Sequence, residues 1–244
     1  MNLPPARGAI DPLFVLAAGA TPESALAALD RFGIARAGVS VDESPALARR
    51  LLAAHPERFF ARSEVDPRGG MDELRRLARL AGEVELRLVT ASPARVFVPI
   101  DDKLFYPFFA WCCERGVAFC TSLGVPAERV PFAPQKVERI DEVAWFFPEL
   151  RLVMRDGGEP WQALAVVLMR KYPNLSFSSG GVPPSELPPE LLDFANQDGA
   201  HQLLFASGST ELERFYKELP ELGLARPVWP RFLHDNAARI LKLA

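Results

Sequence analysis

A single (β/α)8 barrel of TIM type is the fold this sequence predicts. Short apolar or β-branched runs alternate with helical patterns, the alternation repeats eight times, and no Ser/Gly linker or shift of composition divides the 244 residues. Strict alternation of strands and helices implies parallel strands joined by right-handed crossovers. Eight such units in about 250 residues is the size of one closed barrel rather than an open sheet plus a second domain. The whole chain, 1–244, is therefore read as one domain.

The first run, Asp11 to Val15, leads to TPESALAALDRFG, where Thr21 is the N-cap, Glu23 sits in the first turn and Gly33 stops the helix. The second run, Ala35 to Val41, precedes a helix over Ser44 to Ala54, and the third, Arg58 to Val65, one over Met71 to Leu80. Val84 to Val89 is followed by Lys103 to Arg115, closed by Gly116, and Val117 to Thr121 by Val137 to Phe147. The sixth run, Arg151 to Arg155, enters the glycine turn of DGGEPW and a helix from Trp161 to Lys171. Leu175 to Ser178 runs into SSGG and then Glu190 to Gln197; Gln202 to Ala206 precedes a last pair of helices between Thr210 and Leu243. The proline-rich stretch GGVPPSELPPE, 180–190, follows the seventh strand, where barrel loops shape an active-site mouth. Phe105, Tyr106, Phe108, Phe109 and Trp111 spread over one wide helical face, which is the pattern of packing against a barrel wall.

Composition narrows function. With 49% hydrophobic and 24% charged residues, a net charge of -3 and no basic run, the chain has no electrostatic reason to bind nucleic acid or an anionic membrane surface. No stretch reaches the roughly 20 apolar residues of a membrane span, and Asp11 and Pro12 interrupt the front of the short apolar segment Leu13 to Ala18. Cys112, Cys113 and Cys120 form no CxxC motif and no disulfide framework, so a reducing, cytoplasmic setting is expected. His55, His201 and His234 all fall in connectors or at a helix start, and no two are spaced to share a metal.

In order and spacing the segments resemble the metal-dependent amidohydrolases of the amidohydrolase-2 type, a group of barrel hydrolases and decarboxylases. HPERFFARSEVDPRGGMDELRRL resembles the third strand and helix of that family, and DDKLFYPFFAWCCERGVAFCTS the helix and fifth strand. FPELRLVMRDGGEPW resembles the sixth strand, KYPNLSFSSGG the seventh, HQLLFASGST the eighth and HDNAARILKL the closing helix. The resemblance implies a divalent metal held at the strand ends by histidines and an aspartate. At those positions this chain carries Leu13 and Val15 after strand one, Cys120 on strand five, Asp156 after strand six and Gly208 after strand eight. A polar position near the end of strand four falls on Arg87 or Val89.

The expectation is thus a barrel of this family without its metal centre or any other cofactor, a non-catalytic homologue pairing with itself or with a catalytic relative. Pro227 to Leu233, PVWPRFL, supplies either candidate interface anchors or a segment packed on its own barrel. The alternative is a hydrolase or decarboxylase acting on a small organic molecule through an altered or subunit-shared site. Candidate pocket residues are Arg62, Glu64, Arg87, Cys120, Asp156 and Ser207. An arginine inside a barrel needs a carboxylate partner or an anionic ligand, and strand order pairs Asp156 with Arg87, two strands away on the same side of the mouth.

Overall fold

The computed structural model describes residues 8–243. Eight parallel strands lie side by side in chain order: β1 (Ala9–Asp11), β2 (Ile34–Ser40), β3 (Phe59–Glu64), β4 (Leu86–Ala91), β5 (Ala118–Ser122), β6 (Leu152–Arg155), β7 (Leu175–Ser178) and β8 (Leu203–Leu204). Between them run the helices α1 (Pro22–Phe32), α2 (Pro45–Ala54), α3 (Gly70–Glu83), α4 (Pro93–Val96), α5 (Tyr106–Arg115), α6 (Ile140–Phe146), α7 (Gln162–Lys171) and α8 (Pro189–Asn196). Past β8 come α9 (Leu212–Glu218) and α10 (Val228–Pro230), then a π-helical turn (Arg231–Asp235) leading into α11 (Asn236–Leu241). This is the expected TIM-type (β/α)8 arrangement.

Side chains alternate across the curled sheet as the strand period demands. Phe60, Leu88, Ala118, Cys120, Val153 and Leu204 form an inner apolar cluster, while Phe59, Ala61, Val89, Phe119, Leu152 and Phe177 belong to the layer under the helices. The inner cluster also takes in Ala237, Ile240 and Leu241 of α11. Arg151, just before β6, donates to the carbonyls of Ile240 and Gly116, which places α11 against the N-terminal ends of β5 and β6. The last helix therefore stoppers the bottom of the barrel and leaves the opposite, C-terminal end open for a site.

Closure differs from a simple ladder. Among the described residues the strand pairing runs from β1 to β8, and the seam between those two is held by other means. The Asp11 carboxylate accepts from the Ser207 hydroxyl at 2.5 Å and from the Ser207 backbone N–H at 3.1 Å, and the Phe205 N–H donates to the Phe232 carbonyl in the C-terminal segment. β1 ends at Asp11, four residues short of the expected Val15, since Pro12 has no N–H for a ladder, and β8 is likewise only two residues long.

Two expectations are corrected here. The fourth strand begins at Leu86 rather than Val84, with a bulge that skips Arg87 between the pairs Ala61–Leu86 and Arg62–Leu88. Arg87 therefore lies near the N-terminal end of β4. And the stretch 227–233 is no exposed anchor: Val228, Trp229, Phe232 and Leu233 are all buried in this chain's own core.

Candidate active site at the barrel mouth

A cavity of about 750 Å³ opens at the C-terminal ends of the strands. Each strand or the loop after it contributes a wall: Leu13 and Val15 after β1, Glu43 after β2, Arg62 and Glu64 on β3, Ser92 after β4, Ser122 at the end of β5, and Arg155 and Asp156 at the end of β6. The proline-rich segment 180–190 does border the mouth, through Gly181, Val182, Pro183, Glu186 and Pro188. No histidine, cysteine, lysine or tyrosine is among the residues that line it.

Two guanidinium groups dominate the cavity. Arg62 is 6% exposed, and among the described residues its one ion-pair partner is Glu43, at 3.5 Å, whose own side chain is 56% exposed. Burial lowers the pKa of Arg62, Glu43 opposes that, and the nearby charge of Arg155 lowers it further. Arg155 donates to the Ser92 hydroxyl at 3.2 Å, and its Nε lies 3.8 Å from a carboxylate oxygen of Asp156. The Nε atoms of both arginines are buried without a hydrogen-bond partner among the described residues. A buried donor left unpaired is a cost the fold carries without return unless something else fills it.

The carboxylates of the mouth divide into spoken-for and open. Glu128 pairs with Arg95, and Glu186 with Arg214 at 2.7 Å. Glu64 has its backbone engaged, the N–H donating to Asp42 at 2.7 Å and the carbonyl accepting from Arg76. Its side chain faces the cavity with no ion pair among the described residues, and so does that of Glu159. Six carboxylates line the mouth against three guanidiniums, so the cationic floor lies within an acidic surround.

Of the six candidate residues, Arg62, Glu64 and Asp156 meet at this mouth and three lie elsewhere. Arg87 pairs with Glu85 at 2.7 Å near the opposite end of β4, so it does not meet Asp156. Asp156 is instead beside its own neighbour, Arg155. Alternation would send those two apart, but Asp156 has a φ of 68°, and that left-handed turn at the strand end brings both into one cavity. Cys120 lies below the mouth in the inner apolar cluster, and burial pushes its thiol up to about 12. Ser207 is fully buried at the β1–β8 seam on Asp11. Sequence reasoning missed Glu43, Ser92 and Glu159, which sit in loops after strands, and Ser122, the last residue of β5, where apolar periodicity gives no signal.

A model of the family described as Amidohydrolase (Amidohydro_2) matches residues 5–243. The chain belongs to the amidohydrolase family. A comparison with curated proteins gives no match. Among solved structures, an uncharacterised TIM-barrel protein from Bordetella bronchiseptica is similar, with 22% identity over 90% of this chain and 82% of that one and a TM-score of 0.76. A 2,6-dihydroxybenzoate decarboxylase complexed with 2,6-dihydroxybenzoate shares 15% identity over 98% and 97% of the two chains (TM-score 0.66). The 5-carboxyvanillate decarboxylase from Sphingomonas paucimobilis shares 16% identity over 90% and 82% (TM-score 0.67). At these identities the likeness is one of fold.

The residues present do not fit the divalent metal that amidohydrolases of this type imply. Leu13 and Val15 offer no donor atom, Cys120 is a buried neutral thiol, and Asp156 stands alone. Among the described residues no three His, Cys, Asp or Glu side chains converge to hold a metal ion. Gly208 is more telling. Its φ is 60°, and a Cβ there would come within 2.5 Å of the backbone nitrogen of Gly181. The strand-eight position that would carry the ligand aspartate thus has a backbone that admits no side chain.

Proposed function

We propose that this chain is an amidohydrolase-family barrel that works without the family's metal centre, a non-catalytic homologue that holds a small molecule in its mouth. The observation that carries the reading is Gly208, where the backbone has closed over the position of a ligand side chain. Loss of a ligand by substitution alone leaves room for its return; loss of the space does not. No histidine lines the cavity beside a hydroxyl such as Ser92 or Ser122, so the mouth has no serine–histidine pair for nucleophilic attack, and in this reading its open carboxylates, Glu64 and Glu159, serve to bind rather than to move protons. The hydrolase or decarboxylase reading finds no better support in these residues.

Pairing with a second copy or with a catalytic relative belongs to this proposal, with its anchors moved from 227–233 to α6, where Trp145 is 68% and Phe146 54% exposed. Light scattering on a size-exclusion column reads it: wild type runs as a dimer or larger, W145E with F146E as a monomer, and a monomeric wild type removes the self-pairing.

The metal-free reading is tested by titrating zinc or manganese while following thermal unfolding. A true site at a hundredfold excess over its dissociation constant would add about 2.7 kcal/mol of stability. The proposal expects no saturable rise in melting temperature. A rise that saturates near one equivalent and vanishes in D156N contradicts it.

A further inference from the structure

Resting on the metal-free reading of the same mouth, we propose that the cavity is a receptor for a small zwitterion. The ligand is an amino acid or related amino-carboxylate, whose carboxylate sits between Arg62 and Arg155 and whose ammonium faces Glu64.

Arg62 is more than nine-tenths buried, yet its one ion pair is long and leads to an exposed carboxylate, and its Nε has no partner among the described residues. Arg155, on β6 three strands away and less deeply buried, is also weakly paired: its Nε has no hydrogen bond among the described residues, and its nearest carboxylate oxygen is 3.8 Å away. Both guanidiniums line the cavity, and although their Nε atoms are shielded from it, their terminal N–H groups match the planar, two-oxygen geometry of a carboxylate, which accepts parallel N–H bonds from such forks. The Ser92 hydroxyl, held by Arg155, lines the same cavity and adds a further donor.

A plain acid meets only half of the site. Carboxylates outnumber guanidiniums six to three around the cavity, so a ligand carrying negative charge alone would enter against the surround. Glu64 stands two residues beyond Arg62 on the same face of β3, its side chain open to the cavity and without an ion pair among the described residues. An ammonium on the ligand pairs with that carboxylate while its carboxylate takes the floor. Both half-satisfied charges are then neutralised by one molecule, and the volume of about 750 Å³ suits one of metabolite size.

The test uses protein treated with chelator and dialysed, so that metal plays no part, with three matched probes: 5-aminopentanoate, pentanoate and pentylamine. Isothermal titration calorimetry reads each on the wild type, on R62M and on E64Q, after circular dichroism has shown each variant folded. The zwitterion binds saturably, and the acid and the amine each bind at least about tenfold more weakly, because either one leaves one charge of the mouth unpaired. R62M loses at least about tenfold for the zwitterion and the acid alike. E64Q brings the zwitterion down to the level of the acid. Equal binding of pentanoate and 5-aminopentanoate overturns the proposal, as does undiminished binding by R62M or no binding of any probe at 10 mM, roughly the weakest affinity a specific site would show. None of these outcomes alters the metal titration, which judges the underlying reading separately.

Discussion

Replacing Arg62 by methionine should leave the protein at least as stable as the wild type. A guanidinium brought to 6% exposure loses several kcal/mol of hydration, and its unbonded Nε adds about 1–3 kcal/mol. Against this stands one ion pair at 3.5 Å to a carboxylate more than half exposed, which returns about 1 kcal/mol or less. Removing the arginine leaves Glu43 in water, and the buried Asp11, though it loses the favourable charge of Arg62, keeps its three hydrogen bonds from Ser207 and Leu13. Methionine follows the same path into the apolar floor at no charge cost. The expected change is a stabilisation of about 1–3 kcal/mol, or roughly 2–4 °C in melting temperature for each kcal/mol in a chain of this size. Urea and thermal unfolding by circular dichroism measure it. A destabilisation of about 2 kcal/mol or more would show that Arg62 is a structural plug rather than a charge kept for a ligand.

At the barrel seam, S207A removes the 2.5 Å bond to the buried Asp11 carboxylate and should cost about 1.5–3 kcal/mol in urea unfolding; a loss under about 0.5 kcal/mol would mean the seam is held elsewhere. Burial raises the pKa of Asp11 despite the opposing bonds from Ser207 and Leu13, so the folded state binds that proton more tightly than the unfolded state does. The stabilisation from that proton is complete below the ordinary carboxylate pKa and is lost as pH rises through the raised one. The stability of wild type relative to D11N should therefore fall with increasing pH over the acid range, and a flat or rising difference contradicts the assignment. G208A should destabilise by about 2 kcal/mol or more through its positive φ and its clash with the Gly181 backbone, seen as a lowered melting temperature; an unchanged one removes the steric argument. Cys120, its thiol pushed up to about 12 by burial, should resist iodoacetamide in the native protein at pH 8 and react only on unfolding, as mapped by mass spectrometry; ready native labelling would place it at the mouth.

The strand–helix order was legible because burial imposes a period on sequence. Eight parallel strands lie in the expected chain order, although β1 shares only Asp11 with its run, and the Thr21 cap and Gly33 stop bound α1 as their chemistry implies. Strand ends were less legible. Arg87 and Val89 both fit the alternation of β4, and nothing in the sequence marks the bulge that sends Arg87 to the bottom of the barrel. Asp156 defeated the alternation rule for a related reason. Its φ of 68° is a local choice made against the carbonyl of Gly180, 3.3 Å from the Asp156 nitrogen, in the loop after β7 and more than 20 residues away in sequence. Arg62 and Glu64 were found because a charge late in an otherwise apolar strand stands out. Glu43 and Ser92 were not, because polar residues in loops are the rule and only the folded chain brings them to one cavity.

The most direct test of the central claim is the metal content of the purified chain, expressed in medium supplemented with zinc, manganese and iron and measured by inductively coupled plasma mass spectrometry. With Leu13, Val15, Cys120, Asp156 and Gly208 at the ligand positions, the account predicts well under one equivalent of any transition metal, unchanged in D156N. About one equivalent in the wild type, lost in D156N, would contradict it and return the mouth to metal-dependent chemistry.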